Sequence, residues 1–257
     1  MGAFMLVEER RDQILSLLSK HGKVRVKDLS RLLRTSEVTI RNDLQELHQR
    51  GRLRKTHGGA MPLDSANGEA PLQEKYLSHA GEKRRIGTAA AALVNDGETI
   101  ILDSGTTTQE IAKRIKDKQN LTVITNGVNI AMELVGARGV QVVLLGGVLR
   151  DNAFSIGGHF AEEMLQSFSA DKLFLAADAC DLEFGVSTPN LEESRVNQAM
   201  ARIAREKILV ADSSKFGKRS LSRIVPLLEM NQVITDNKLA PEFHHALRSG
   251  AVKLTLV

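Results

Sequence analysis

Apolar positions near the amino terminus recur with a helical period. Over residues 6–20, Ile14, Leu15 and Leu18 supply one side of a first helix, and Gly22 is placed to stop it. Val26, Leu29, Leu32 and Leu33 follow at i, i+3, i+6 and i+7, the stripe of a second, short helix. Ile40, Leu44 and Leu47 repeat at i, i+4 and i+7 and form the stripe of a third. Only Arg34-Thr35-Ser36 separates these last two patterns. Thr35 or Ser36 can cap the third helix by accepting a backbone N–H, and Glu37 suits its positive end. Two short amphipathic helices joined this tightly read as a helix-turn-helix, with the first helix closing a three-helix core. The polar face of the third helix carries Thr39, Arg41 and Asn42, side chains that contact phosphates and base edges when a helix enters a major groove. A helical hairpin with a solvated polar face would show the same periodicity. After Gly51, residues 52–57 are too polar and too short for a helix. They read as a two-stranded wing, with Arg54, Lys55 and His57 placed to reach the DNA backbone and Gly58-Gly59 allowing a tight turn.

The pattern changes at residues 61–74, where two prolines, a glycine and small polar residues mark a linker. The expected domains are therefore 1–60, a 61–74 linker, and 75–257. A helical, Ala-rich stretch spans 75–95. Continuous apolar runs then appear at Thr99–Leu102, Leu121–Thr125, Val140–Leu145, Lys172–Ala177, Lys207–Ala211, Gln232–Thr235 and Val252–Val257. Helical stretches lie between them, among them 107–117, 128–135, 159–168 and 191–206. Asn190 can cap the last of these, with Glu193 at the acidic capping-box position. Apolar strands alternating with amphipathic helices predict an α/β domain built on a mostly parallel sheet covered on both faces.

In such sheets ligands bind beyond the carboxyl ends of the strands. Five polar clusters fall there: Asp103-Ser104-Gly105-Thr106-Thr107-Thr108; Thr125-Asn126-Gly127; Gly146-Gly147 with Arg150, Asp151 and Asn152; Asp178 to Asp181 with Gly185 to Thr188; and Asp212-Ser213-Ser214-Lys215. Backbone N–H groups and hydroxyls of the first can cradle a phosphate. Lys215 and Arg150 can neutralise a phosphoryl group, and Asp103, Asp178 and Asn126 can accept sugar hydroxyls. A plain capped strand-to-helix turn would show the same residues at 103–108. The cluster has neither the spacing nor the lysine of a Walker loop and is no nicotinamide fingerprint. No cofactor and no metal is expected.

The segment Val38-Thr39-Ile40-Arg41-Asn42-Asp43-Leu44, with Gly51 and His57-Gly58-Gly59-Ala60, resembles the DNA-binding domain of the DeoR family of bacterial transcriptional repressors. Many members carry a second arginine where this chain has Asn42. Asn can read adenine with two hydrogen bonds, so operator preference is expected to differ while the binding mode does not. The five strand-end clusters resemble the family's effector-sensing domain. The resemblance implies a winged helix-turn-helix followed by a domain related in fold to sugar-phosphate isomerases, which binds phosphorylated sugars or sugar metabolites. It implies that Ser104 to Thr108 hold the phosphate. Among the family's subgroups, those controlling amino-sugar or hexitol uptake are nearest.

Charge sharpens this picture. Residues 1–60 hold 13 Lys and Arg against 7 Asp and Glu, a surplus of six; residues 61–257 hold 22 against 24, a deficit of two. All the excess positive charge thus sits with the helix-turn-helix, the electrostatic footprint of a module that binds phosphates. With 42% hydrophobic residues the chain can build one or two cores. It has no run of 18 apolar residues, and its start is too short in apolar residues for a secretory signal, so a cytoplasmic protein without a membrane partner is expected. Cys180 is the single cysteine, which excludes an internal disulfide; it reads as a buried small side chain rather than a reactive thiol. The expected function is a repressor of a carbohydrate operon, with double-stranded operator DNA and a phosphorylated sugar as partners. A homo-oligomer, dimer or tetramer, is expected because one helix-turn-helix reads few base pairs. The alternative is a sugar-phosphate isomerase or deaminase carrying a fused DNA-binding domain, for which Asp103, Asp178 and Glu192 are the candidate bases. A DNA-compacting protein would need no polar second domain.

Overall fold

The computed structural model describes residues 6–21, 23–50, 52–61 and 72–257. The expectations placed on Gly22, on Gly51 and on most of the linker lie outside these residues. Contacts divide the chain into two units, Met1–Ala70 and Pro71–Val257.

The first unit contains α1 (Val7–His21), β1 (Val24–Arg25), α2 (Val26–Leu32), α3 (Glu37–Gln49), β2 (Arg54–Thr56) and β3 (Gly59–Met61). Ile14 and Leu18 of α1, Val26 and Leu29 of α2, and Ile40, Leu44 and Leu47 of α3 meet in one core with Leu53 and Ala60. These are the positions the helical periods single out. Leu32 is the exception and stays exposed. The expected two-stranded wing is a three-stranded antiparallel sheet of order β1-β3-β2, because Val24 and Arg25 pair with Ala60 and Gly59. Gly59 is required by this close approach: a Cβ there would lie 1.9 Å from the Val24 carbonyl oxygen.

The second unit begins with α4 (Leu72–Leu77) and α5 (Ala80–Ala91). A single helix is expected over 75–95; the chain instead breaks at His79, whose φ is +53°. Lys83, on α5, answers the interruption by donating from Nζ to the carbonyls of Lys75 and Ser78. Of the expected linker, Met61 belongs to β3 and Leu72 to Glu74 open α4.

The remaining elements are β4 (Thr99–Leu102), α6 (Thr106–Ala112), β5 (Leu121–Thr125), α7 (Val128–Leu134), β6 (Val140–Leu144), β7 (Val148–Arg150), β8 (Ser155–Gly157), α8 (His159–Leu165), β9 (Ala170–Leu175), β10 (Ala179–Asp181), β11 (Gly185–Thr188), α9 (Leu191–Ile203), β12 (Ala204–Val210), β13 (Ser222–Val225), β14 (Gln232–Thr235), α10 (Pro241–Ser249) and β15 (Lys253–Leu256). All seven apolar runs join one sheet of order β15-β14-β12-β9-β4-β5-β6, and each neighbouring pair is parallel. Ile100 and Leu102 of β4 face one core, with Ile86, Ile111 and Ile130 of α5, α6 and α7. Ile101 faces the other, with Leu165, Val196 and Phe243 of α8, α9 and α10. The alternation along β4 therefore serves two apolar layers, which is why Ile100, Ile101 and Leu102 are apolar in succession.

From β4 the chain winds outward through β5 to β6, then returns to the other side of β4 and winds through β9, β12 and β14 to β15. The reversal falls between β4 and β9, and their carboxyl ends open a crevice there. Two small antiparallel pieces, the hairpin β7–β8 and the sheet β10-β11-β13, were not evident from sequence. Gly185 to Thr188 read as a polar strand end but form β11, buried at every position.

Candidate functional site

The crevice at the reversal is lined by Asp103 to Thr107 beyond β4, by Ala176 to Asp178 beyond β9, by Lys75 of α4 and Lys83 of α5, by Thr188 of β11, by Glu193 and Asn197 of α9, and by Lys215. The chain reaches it through the register of the sheet. Asp103 donates its N–H to the Phe174 carbonyl, extending the β4–β9 ladder, and its Oδ2 accepts from the Ala176 N–H at 3.1 Å. Gly105 has φ +153°, a conformation that glycine favours, and α6 starts at the next residue. Ser104, Thr106 and Thr107 are buried at the cavity. Because α6 is only seven residues long, its dipole is weak and the local charge comes from lysines.

Three ammonium groups and three carboxyl groups share this space. Lys75 pairs with Asp178 at 2.8 Å, and Thr188 donates to the other Asp178 oxygen at 3.2 Å. Burial pushes the Asp178 carboxyl up, but the Lys75 and Lys215 charges outweigh it and hold the group below its ordinary range. Burial, with Glu193 and Asp178 nearby, pushes the Asp103 carboxyl well above the ordinary range. Burial lowers the Lys83 ammonium to about 8; Asp212 opposes this, and Lys215 and Lys75 add to it. The cavity measures about 40 Å³, room for an ordered water or two but not for a sugar. A sugar phosphate needs more room than this cavity offers. α4 is short and carries Lys75, and it is the first described element after the segment that leads from the first unit.

Not every expected residue faces the cavity. Asn126 supports it from behind: its Oδ1 accepts the Ser104 N–H at 3.1 Å and its Nδ2 donates to the Ile156 carbonyl. Gly127 packs against Ser104 and Ile130. Thr108 is fully buried, with its hydroxyl on the Gly105 carbonyl. Gly146 and Gly147 are exposed and lead into the β7–β8 hairpin, away from the lining residues. Arg150 pairs with Glu193 and donates to Ser155. Thus Glu193, expected in a capping box, holds Arg150, while Asn190 does cap α9 by accepting the Glu193 N–H at 2.9 Å. Glu192 is exposed outside the lining residues. Cys180 is buried and its thiol is pushed up by burial. Lys75, Lys83 and Asn197 were missed, whereas Thr188 belongs to the fourth expected cluster. The lysine at the start of an Ala-rich helical stretch is the one signal that the sequence offered for any of them.

In the first unit, Ser36 caps α3 by accepting the Thr39 N–H at 3.0 Å, and its hydroxyl meets the Thr39 hydroxyl at 2.8 Å. Thr35 takes a different part, its carbonyl accepting from Ser30 at 2.6 Å. Arg41 and Asn42 are exposed on α3, with Arg41 3.1 Å from Glu37. Arg41, Lys55 and His57 line one concavity between α3 and the wing, where Lys55 donates to Gln45 at 2.8 Å; Arg54 is exposed on β2. Asp43 is buried under α3 and takes Arg10 at 2.6 Å and Arg11 at 3.2 Å from α1. Its role is to lock α3 onto α1.

Residues 10–66 match the DeoR-like helix-turn-helix domain, and residues 78–237 match the DeoR C terminal sensor domain. The chain belongs to the DeoR family. A DeoR-family relative from Escherichia coli O157:H7, named for transcriptional repression of the aga operon, is 41% identical over 97% of this chain and 93% of its own length. The HTH-type transcriptional regulator GlpR of Haloferax volcanii is 35% identical over 96% and 97%. The lactose phosphotransferase system repressor of Staphylococcus epidermidis is 36% identical over 89% and 92%. Among solved structures, ribose 5-phosphate isomerase A from Methanocaldococcus jannaschii aligns with 55% of this chain and 56% of its own, with a TM-score of 0.42 and 17% identity. Among the described residues, no helix is long and apolar enough to cross a membrane.

Proposed function

We propose that this DeoR-family chain represses a carbohydrate operon, of the amino-sugar or hexitol kind, and is released from its operator by a phosphorylated sugar. The carrying observation is the crevice at the β4–β9 reversal, whose lining combines Ser104, Thr106 and Thr107 with Lys75, Lys83 and Lys215. A phosphate dianion suits that set, since ionised donors and hydroxyls converge on one spot away from bulk water. An incoming phosphate competes with Asp178 for Lys75. Lys75 passes from Asp178 to the phosphate, and α4, which carries it, shifts as the ligand seats in the 40 Å³ cavity. Ligand and operator then oppose each other with a coupling of roughly 1–3 kcal/mol, and each weakens the other by the same factor.

α3 reads the major groove through Thr39, Arg41 and Asn42, and the wing holds phosphates through Arg54, Lys55 and His57. Two half-sites require a second copy. The exposed side chains of Met132 on α7, Val135 just after it and Leu144 on β6, an edge strand among the described residues, offer apolar surface for one. The protein works in the cytoplasm and turns nothing over. The test uses duplexes selected from a random pool for binding. Hexose and hexitol phosphates are titrated into the preformed complex while fluorescence anisotropy follows release and chromatography looks for product. Release without product supports the reading. No release by any sugar phosphate, or accumulation of an isomerised or deaminated product, refutes it.

A further inference from the structure

We infer that Asn197 reads a neutral hydrogen-bond donor, a sugar hydroxyl remote from the phosphate, and so determines which sugar the crevice accepts; this rests on the sugar-phosphate reading of that crevice. Asn197 lies on α9, 1% exposed, and lines the cavity. Its neighbours along the helix, Val196 and Met200, are fully buried in the core, so an apolar residue would suit this helix. The fold does not use the amide oxygen: Oδ1 is buried and receives no hydrogen bond from the described residues. Buried polar atoms are nearly always paired, and a side chain kept polar at a cavity wall without a partner in the fold is paired by what enters the cavity.

The surroundings narrow the chemistry. Lys75, Lys83 and Lys215 come from α4, α5 and the turn after β12, and they define a cationic end. Asn197 comes from α9, one turn beyond Glu193, whose carboxylate is held by Arg150. Asp178 is held by Lys75 and Thr188. Asp178 and Glu193 are therefore already matched by Lys75 and Arg150, burial holds the Asp103 carboxyl well above its ordinary range, and Lys83 and Lys215 remain as ammonium sources of repulsion toward a cationic ligand group. An amide oxygen with no excess negative charge behind it favours a hydroxyl over an ammonium. The site then rejects a ligand lacking that hydroxyl, because a buried acceptor would be left unpaired.

The test compares Asn197→Leu and Asn197→Asp with wild type by isothermal titration with inorganic phosphate, glucose 6-phosphate, galactose 6-phosphate and glucosamine 6-phosphate. In wild type at least one neutral hexose phosphate binds more tightly than inorganic phosphate. In Asn197→Leu that advantage falls by about tenfold, with inorganic phosphate binding unchanged. In Asn197→Asp the ratio of glucosamine 6-phosphate to neutral hexose phosphate affinity rises. An unchanged hexose advantage in Asn197→Leu overturns the inference. So does an equal loss of phosphate and hexose phosphate in a variant that melts like wild type, since that marks a residue positioning the cavity wall. If Asn197→Leu does not fold, the Asn197→Asp ratio decides alone. A wild type that binds phosphate but no hexose phosphate more tightly overturns this inference. A wild type that binds no anion at all overturns the reading of the crevice itself.

Discussion

Asp43→Ala is expected to destabilise the DNA-binding unit while leaving the sensor standing. The Asp43 side chain is 3% exposed and accepts from Arg10 Nε at 2.6 Å, Arg10 Nη2 at 3.3 Å and Arg11 Nε at 3.2 Å. Removing it leaves two guanidinium groups, 12% and 15% exposed, facing a void between α1 and α3. Breaking a buried ion pair from one side costs about 3–5 kcal/mol. The arginines here reach some water, which places the loss nearer about 3. A unit of this size has a total stability of roughly 3–9 kcal/mol, so the loss takes a large part of it. The assay is favoured by composition: the chain has no tryptophan, and its one tyrosine, Tyr76, lies on α4. Tyrosine emission thus follows the second unit alone, while far-ultraviolet circular dichroism follows both. In urea, Asp43→Ala should lower the midpoint of the transition seen only by dichroism and leave the tyrosine transition in place. Operator affinity should fall with the folded fraction, and sugar-phosphate binding should persist. Asp43→Asn keeps the volume and one acceptor and should fall between. A dichroism transition shifted by less than about 0.5 kcal/mol, with operator affinity intact, would refute the idea that this buried carboxylate locks α3 to α1.

Arg41→Ala should weaken operator binding by about 1–3 kcal/mol with relaxed specificity if it reads a base, or reduce the salt slope by about one if it meets a phosphate; wild-type affinity and slope in filter binding would exclude both. Lys83 gives a pH signature. Its ammonium, held near 8 by burial, is charged below that pH and neutral above it. Phosphate affinity should therefore fall by about tenfold between pH 7.5 and 9.5, while the stability of the ligand-free protein gains over the same window as the buried charge is relieved. Lys83→Arg, charged throughout, should flatten both trends in calorimetry and melting. Gly105→Ala places a side chain where φ is +153° and a Cβ lies 3.3 Å from the Ala176 Cβ, strain of about 1–3 kcal/mol. It should keep operator binding and lose release by sugar phosphate, giving a repressor that cannot be induced; release like wild type would place the phosphate elsewhere.

Period and charge along the chain determine a great deal here. The apolar stripes of α1, α2 and α3 define their core, because a short amphipathic helix has one way to bury its stripe. The seven apolar runs all become parallel strands, because branched apolar runs alternating with amphipathic helices bury most of their surface when those helices cover the sheet. The Asp103–Thr107 turn is legible for the same reason, since a strand of known end must be followed by a loop on a known side of the sheet. What the chain alone does not contain is which loop meets which. That Lys75 reaches Asp178, 103 positions later, follows from the reversal of strand order between β4 and β9. That Asn126 stays behind the cavity while Asn197 faces it depends on the direction of side chains from two different elements. Arg150, read as a phosphate partner, is turned to Glu193 because the β7–β8 hairpin and α9 meet there. Local propensity acts over a few residues, whereas a binding crevice is assembled from segments a hundred residues apart, and only the packed sheet decides which polar atoms are consumed by the fold and which remain for a ligand.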